Sequence, residues 1–190
     1  MSYVERRRFL WTVFLAGLLL LGLTAVLTDA TTLVRLRFQD LAQRSTAIAR
    51  LRCIGSESRW EHGEVWTDTR FELMEGSKGS LPRVVTVRTI GGQFGHVRSH
   101  VEGAPVFRSG EEVYLFLWGR TGEPYRVLGW SQGAFRIVRD ASTGIENVSQ
   151  DSAGASVFDP QTRSFRRGGI RNLPVTVFQL KLRKALEIEK

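Results

Sequence analysis

The stretch Val113-Tyr114-Leu115-Phe116-Leu117-Trp118 decides the fold. Six consecutive apolar residues rich in aromatic side chains are too few for a typical helix and suit a strand covered on both faces. One face carries Val113, Leu115 and Leu117, and the other carries Tyr114, Phe116 and Trp118, because side chains alternate along a strand. Such a strand belongs at the centre of a sheet.

Working outward, the period stays at two. Upstream, residues 84–90 form a strand apolar enough on both faces to lie inside a sheet, ended by Gly91-Gly92. A short strand follows within residues 94–101, before Gly103-Ala104-Pro105. Further back, Ala49, Leu51 and Cys53 share one face of a long first strand from Ile48 to Trp60, and Gly55 within it marks a bulge. A turn at His62-Gly63 leads to a half-buried strand in which Val65, Thr67, Thr69, Phe71 and Leu73 alternate with Trp66, Asp68, Arg70, Glu72 and Met74. Residues 74–82 then read as a long turn. Downstream, residues 125–128 and 134–138 are short strands separated by Gly129-Trp130-Ser131-Gln132-Gly133.

Helices flank this β-rich block. Thr31 or Thr32 caps a helix whose apolar positions are Val34, Phe38, Leu41, Ala42 and Ser45. Residues 140–169, rich in Ser, Asp, Gly and Asn, form a surface excursion with one short hairpin. Asn172 and Pro174 start a C-terminal amphipathic helix over 170–190, with Val175, Phe178, Leu182 and Ala185 on one face and Lys181 and Lys184 on the other. The expected fold is mainly β: a small OB-like barrel of five or six strands spanning 31–139 with its first helix, or alternatively a β-sandwich.

The first thirty residues set the compartment. Arg6, Arg7 and Arg8 precede residues 9–27, an uncharged apolar run that includes Phe9, Trp11, Leu19 and Leu27. As a helix this run covers nearly the whole bilayer core of about 30 Å, and the arginines place the N-terminus in the cytoplasm. The run is longer than most secretory signals, which favours a transmembrane anchor, whereas Thr28-Asp29-Ala30 suits peptidase cleavage after Ala30. Both readings put the domain outside the cytoplasm, inner-membrane anchored or periplasmic and secreted.

The net charge is +8, and it remains +7 when residues 1–30, with three basic and two acidic side chains, are set aside. Arg163, Arg166, Arg167, Arg171, Lys181, Arg183 and Lys184 fall in one stretch without an acid. A solvated surface accounts for them, and so does contact with anionic lipid, an anionic envelope polymer or an acidic envelope protein. Nucleic acid is not expected, since the topology leads away from the cytoplasm and no recognition motif accompanies the charge. The single Cys53 forms no internal disulfide and reads as a buried thiol.

No catalytic, cofactor or metal signature survives a geometric test. His96 and His100 are four apart, but the surrounding pattern is extended, which separates them by about 13 Å. Glu111 and Glu112 are adjacent, so in a strand they point to opposite faces and instead keep the strand start solvated. Gly129-Trp130-Ser131-Gln132-Gly133 matches the letters of a hydrolase elbow, yet a strand rather than a helix follows and no His lies beyond it. Trp60, Trp66, Trp118 and Trp130 offer a stacking surface for sugar or another polymer, with Arg59, Arg70 and Arg126 as flanking candidates, alongside the plainer reading as core and rim packing.

The blocks Gly103-Ala104-Pro105-Val106-Phe107, Gly110-Glu111-Glu112-Val113-Tyr114-Leu115-Phe116-Leu117 and Gly129-Trp130-Ser131-Gln132-Gly133-Ala134-Phe135 resemble an uncharacterised group of exported bacterial proteins. The second block is also similar, more distantly, to the OB-type domain of netrins and tissue inhibitors of metalloproteinases. That resemblance implies a fold only. The N-terminal cysteine that chelates protease zinc in those inhibitors, and their cysteine framework, are missing here. The expectation is therefore a non-catalytic extracytoplasmic binding or interaction domain without a cofactor, with an envelope hydrolase or a glycan-binding module as alternatives.

Overall fold

The computed structural model describes residues 33–187. Phe9, Trp11, Leu19, Leu27, the cleavage point after Ala30 and the caps at Thr31 and Thr32 lie outside the described residues. No helix among the described residues is long and apolar enough to cross a membrane.

The described chain is mainly β, and its principal feature is a large antiparallel sheet. β1 (Ala47–Glu61), β2 (Glu64–Lys78) and β3 (Val84–Ile90) form a meander. β4 (Gly92–Phe94) and β5 (Val97–Ser99) make a small separate hairpin, followed by β6 (Glu112–Trp118), β7 (Arg126–Val127), β8 (Ala134–Arg139) and β9 (Glu146–Gln150). β10 (Ser156–Asp159) and β11 (Ser164–Arg167) form another hairpin, and β12 (Leu173–Pro174) precedes a helix. The sheet order is β12-β9-β8-β6-β1-β2-β3, with β7 attached to the end of β6.

β6 is covered on both faces, as its composition requires. Val113, Leu115 and Leu117 pack with Ala49, Leu51, Cys53, Phe71 and Val85 on one side. Tyr114 and Phe116 pack on the other side with Ile48, Leu41, Phe135 and Phe178. The second core is held by α1 (Phe38–Arg44) and α2 (Val175–Glu187). There Phe38 meets Phe116, Phe135 and Phe178 edge-on, with centroid separations of 5.5, 5.9 and 5.6 Å. Val175, Phe178, Leu182 and Ala185 are the buried face of α2, in agreement with its apolar spacing. Trp118 departs from the alternation, being 56% exposed where β6 runs out past the core.

The expected closed barrel is not found. Over residues 112–115 one edge of β6 is paired with β8, and its other edge is paired with β1. Only Leu117 and Trp118 pair with β7, and from there to β3 runs a single bridge and no ladder. The sheet nevertheless curls: Tyr125, just before β7, donates from its N–H to the Thr86 carbonyl and accepts from the Arg88 N–H, each at 2.8 Å, in a single parallel bridge to β3. The bend comes from β1, whose register against β2 slips at three places, one of them at Gly55.

Three other expectations change. β2 continues to Lys78, so the turn is shorter than residues 74–82 suggest; the extension pairs with the start of β1. The first helix begins only at Phe38, because Val34 is held extended beside Phe158 and the Gln132 side chain bonds the Leu36 N–H and the Val34 carbonyl. Arg37, with Asp40 accepting from its guanidinium at 2.9 Å, occupies the cap instead of a threonine. Finally, part of residues 140–169 joins the main sheet as β9, while β10 and β11 form the expected hairpin.

We predict that Phe178→Ala lowers stability by about 3–5 kcal/mol, the usual cost of emptying an aromatic site in a core. Val177→Ala, on the exposed side of the same helix, should shift it by no more than about 0.5 kcal/mol. Urea midpoints of the two variants check this, and equal effects would show that α2 does not pack through the Phe178 face.

Candidate functional site

The three sequence blocks around residues 103–107, 110–117 and 129–135 come together in space. The strand-free segment between β5 and β6 crosses the end of the sheet and is tied down along its length. The Ser131 N–H donates to the Gly103 carbonyl at 2.9 Å, and the Gly110 N–H donates to the Cys53 carbonyl at 2.8 Å, next to the β1 bulge. Phe107 is buried edge-on against Phe71 with centroids 5.0 Å apart.

A cavity of about 450 Å³ opens beside this segment, lined among others by Ala104, Pro105, Glu111, Ser131, Arg136 and Asp151. That volume falls within the range of small-ligand pockets. Arg136, from β8, organises the floor: its guanidinium donates to Asp151 at 2.5 and 2.9 Å, to Glu111 at 2.5 Å and to the Val106 carbonyl at 2.6 Å. Burial works against the Arg136 charge, and Asp151 and Glu111 outweigh it, so its pKa is raised. Burial pushes the Asp151 carboxyl above its ordinary range, against the pull of Arg136.

Ser131 sits in the same wall. Its residue is 7% exposed, and its Oγ is buried with no hydrogen-bond partner among the described residues. A buried hydroxyl without a partner is costly and calls for an explanation. The backbone beside it is strained: Trp130 has φ of 59°, a left-handed conformation that a bulky side chain seldom adopts. Glycines make the turn possible. Gly129 has φ of 68°, and a Cβ at Gly133 would lie 2.1 Å from the Leu128 carbonyl oxygen.

On the other side of Ala104 and Pro105 lies a second, smaller cleft of about 110 Å³, walled by Trp66, Arg88, Arg126 and Trp130. The Arg126 guanidinium stands 5.0 Å from the centroid of the Trp66 ring. Trp66 and the pair Arg126 and Trp130, distant in sequence from it, therefore share one feature. Arg59 lies opposite Trp66 in register and pairs with Asp68 at 2.7 Å, and Arg70 is exposed further along the same face of β2. Trp60 does not join them. It faces Val65 in register and so lies on the opposite face of the sheet, half exposed. Trp118 is the cross-strand neighbour of Arg126.

The two glutamates do more than keep a strand start solvated. Glu111 pairs with Arg136, whereas Glu112 turns to the other face and pairs with Arg50 and Arg52. Burial opposes the Glu112 charge, but hydrogen bonds from Arg52 and Arg50 hold its carboxyl below the ordinary range. Arg50 also reaches Glu146 of β9 at 3.0 Å, which joins three strands through one side chain. Arg136, Asp151 and Gln132 carried no sequence signal of their own, since their partners lie 15 or more residues away.

The histidines are exposed, His96 at the β4–β5 turn and His100 with its Nε2 3.5 Å from Glu102. Among the described residues no group of three or more His, Cys, Asp or Glu side chains could hold a metal ion. Cys53 is a free, buried thiol whose pKa is raised by desolvation. Comparison with protein-family models, with curated proteins and with solved structures finds no match to this chain.

Two outcomes follow from this arrangement. Arg136→Ala strands two half-buried carboxylates and is expected to cost about 3 kcal/mol, while Ser131→Ala removes an unpartnered hydroxyl and leaves stability unchanged or raised by about 1 kcal/mol; denaturant titration of both variants is the check. Folding also lowers the Glu112 pKa beneath its reference of 4.5, so its stabilising contribution is present above that value and is lost as pH falls through the folded value. Glu112→Gln should flatten the acid limb of a stability-against-pH curve, and an unchanged limb would show that the pair contributes nothing.

Proposed function

We propose that this chain is a non-catalytic, extracytoplasmic binding domain, membrane-anchored or secreted, whose ligand seat is the pair of cavities on either side of Ala104 and Pro105. The observation that carries this reading is the Trp130-Ser131 turn. Strained backbone and an unpartnered buried hydroxyl occur at adjacent residues, and those residues serve one cavity each. Strain of this kind concentrates at sites that bind or react. The apolar run 9–27 behind three arginines supports the compartment.

An OB-type strand order is the finer fold reading that accompanies it. In its favour are the β1-β2-β3 meander, the placement of β6 on the other edge of β1, and the parallel bridge from Tyr125 to β3. Domains of that type bind oligonucleotides and oligosaccharides through loops and sheet faces. A hydrolase reading gains no support from Ser131, whose Oγ makes no hydrogen bond to a base among the described residues.

A glycan is the ligand favoured by one specific feature, the cleft shared by Trp66 and Trp130. Aromatic faces stack on sugar rings, and Arg126 beside them supplies N–H donors. Oligosaccharide titrations followed by tryptophan emission should give saturable quenching that is lost in Trp66→Ala and Trp130→Ala and retained in Trp60→Ala. Quenching that survives in the Trp66 and Trp130 variants would remove the cleft as the seat. Compartment is tested separately: after expression in a bacterium the protein should be found in the membrane or soluble envelope fraction, and intact recovery from the cytosol would sink the export reading.

A further inference from the structure

Far from this seat in sequence, α1 and α2 leave an apolar groove of about 710 Å³ between them. Its floor includes Phe38, Ile170 and Leu173, and Val177 and Leu180, each nearly half exposed, stand along it. Among the described residues, three cations line the same groove, Arg171, Lys181 and Lys184, and no acidic side chain does. Lys181 lies with its ammonium 5.3 Å from the centroid of the Phe38 ring, so its charge stands directly above apolar surface. An apolar strip edged by lysines and arginine is the chemistry of a surface that meets acyl chains and anionic headgroups together.

We propose that this groove docks on the anionic surface of the bilayer that holds residues 9–27, an inference that rests on the membrane-anchored form of the reading above. Chain length supports it. Leu27 and Phe38 are eleven residues apart, so even a fully extended connection holds Phe38 within about 40 Å of the end of the apolar run. Charge supports it independently, since the stretch 163–184 contains seven basic residues and no acid. Docking in this orientation fixes the domain against the membrane through α2 rather than leaving it free on its tether.

The test uses the full chain reconstituted into vesicles of phosphatidylcholine with and without phosphatidylglycerol, each containing a lipid-borne fluorescence quencher. A fluorophore is attached at Leu180→Cys, with Val106→Cys as the reference position; native Cys53 is 2% exposed and is left in place. The Leu180 label should be quenched in the phosphatidylglycerol vesicles and much less without that lipid, while the Val106 label stays bright in both. Each lysine near an anionic surface counts for about five-fold, so Lys181→Gln with Lys184→Gln should weaken docking about 25-fold. Protein that floats with the vesicles while both labels stay equally bright would overturn docking and leave the anchor standing. Protein that fails to float overturns the anchor and the docking together.

Discussion

The two-sided burial of β6 is the constraint on which the rest of the structure depends. A strand whose alternate residues are Val113, Leu115, Leu117 and Tyr114, Phe116 needs apolar cover above and below. The long β1–β2 hairpin bends to supply one cover, and α1 and α2 supply the other. The two cores differ in kind: the first contains mainly aliphatic side chains, and the second is an aromatic cluster centred on Phe38, Phe116, Phe135 and Phe178. Ile48 and Ala49, adjacent on β1, divide between the two cores in the same way.

The candidate seat is a consequence of how β6 begins and how β8 reaches it. Glu111 precedes β6 and Arg136 lies in β8, so the pairing of those strands brings carboxylate and guanidinium together beneath the crossing segment. The turn that feeds β8 must reverse the chain within Gly129–Gly133, and its glycines absorb most of that demand. Trp130 does not, and it keeps a positive φ. Strain and the unpartnered Ser131 hydroxyl are therefore localised where two cavities share a wall.

Ion pairing distributes unevenly over the basic surface. Arg50, Arg88 and Arg136 each hold two acidic side chains and lie at strand crossings, where they join segments remote in sequence. The cations of α2 are used differently. Lys181 and Lys184 stand beside exposed apolar side chains, and the hydrophobic and electrostatic preferences of that face favour one kind of surface together.

Residue order alone determined β1, β3, β6, β8 and most of β2, the central place of β6, the Gly55 bulge and the buried face of α2, because each is a short-range pattern of period two or 3.6, whereas β9, β12 and the β4–β5 hairpin were not legible in it. It likewise placed Glu111 and Glu112 on opposite faces. Tertiary structure decided the remainder. That β8 takes the edge of β6 along residues 112–115, that Gln132 holds residues 34 to 36 out of a helix, and that Trp66 shares a cleft with Trp130 and Arg126 while Trp60 lies on the other face are all settled by contacts between distant segments. Arg35 and Asp159 are 124 residues apart and Leu36 and Gln132 are 96 apart. No local periodicity encodes such pairs, since they exist only once the sheet has chosen its order and register.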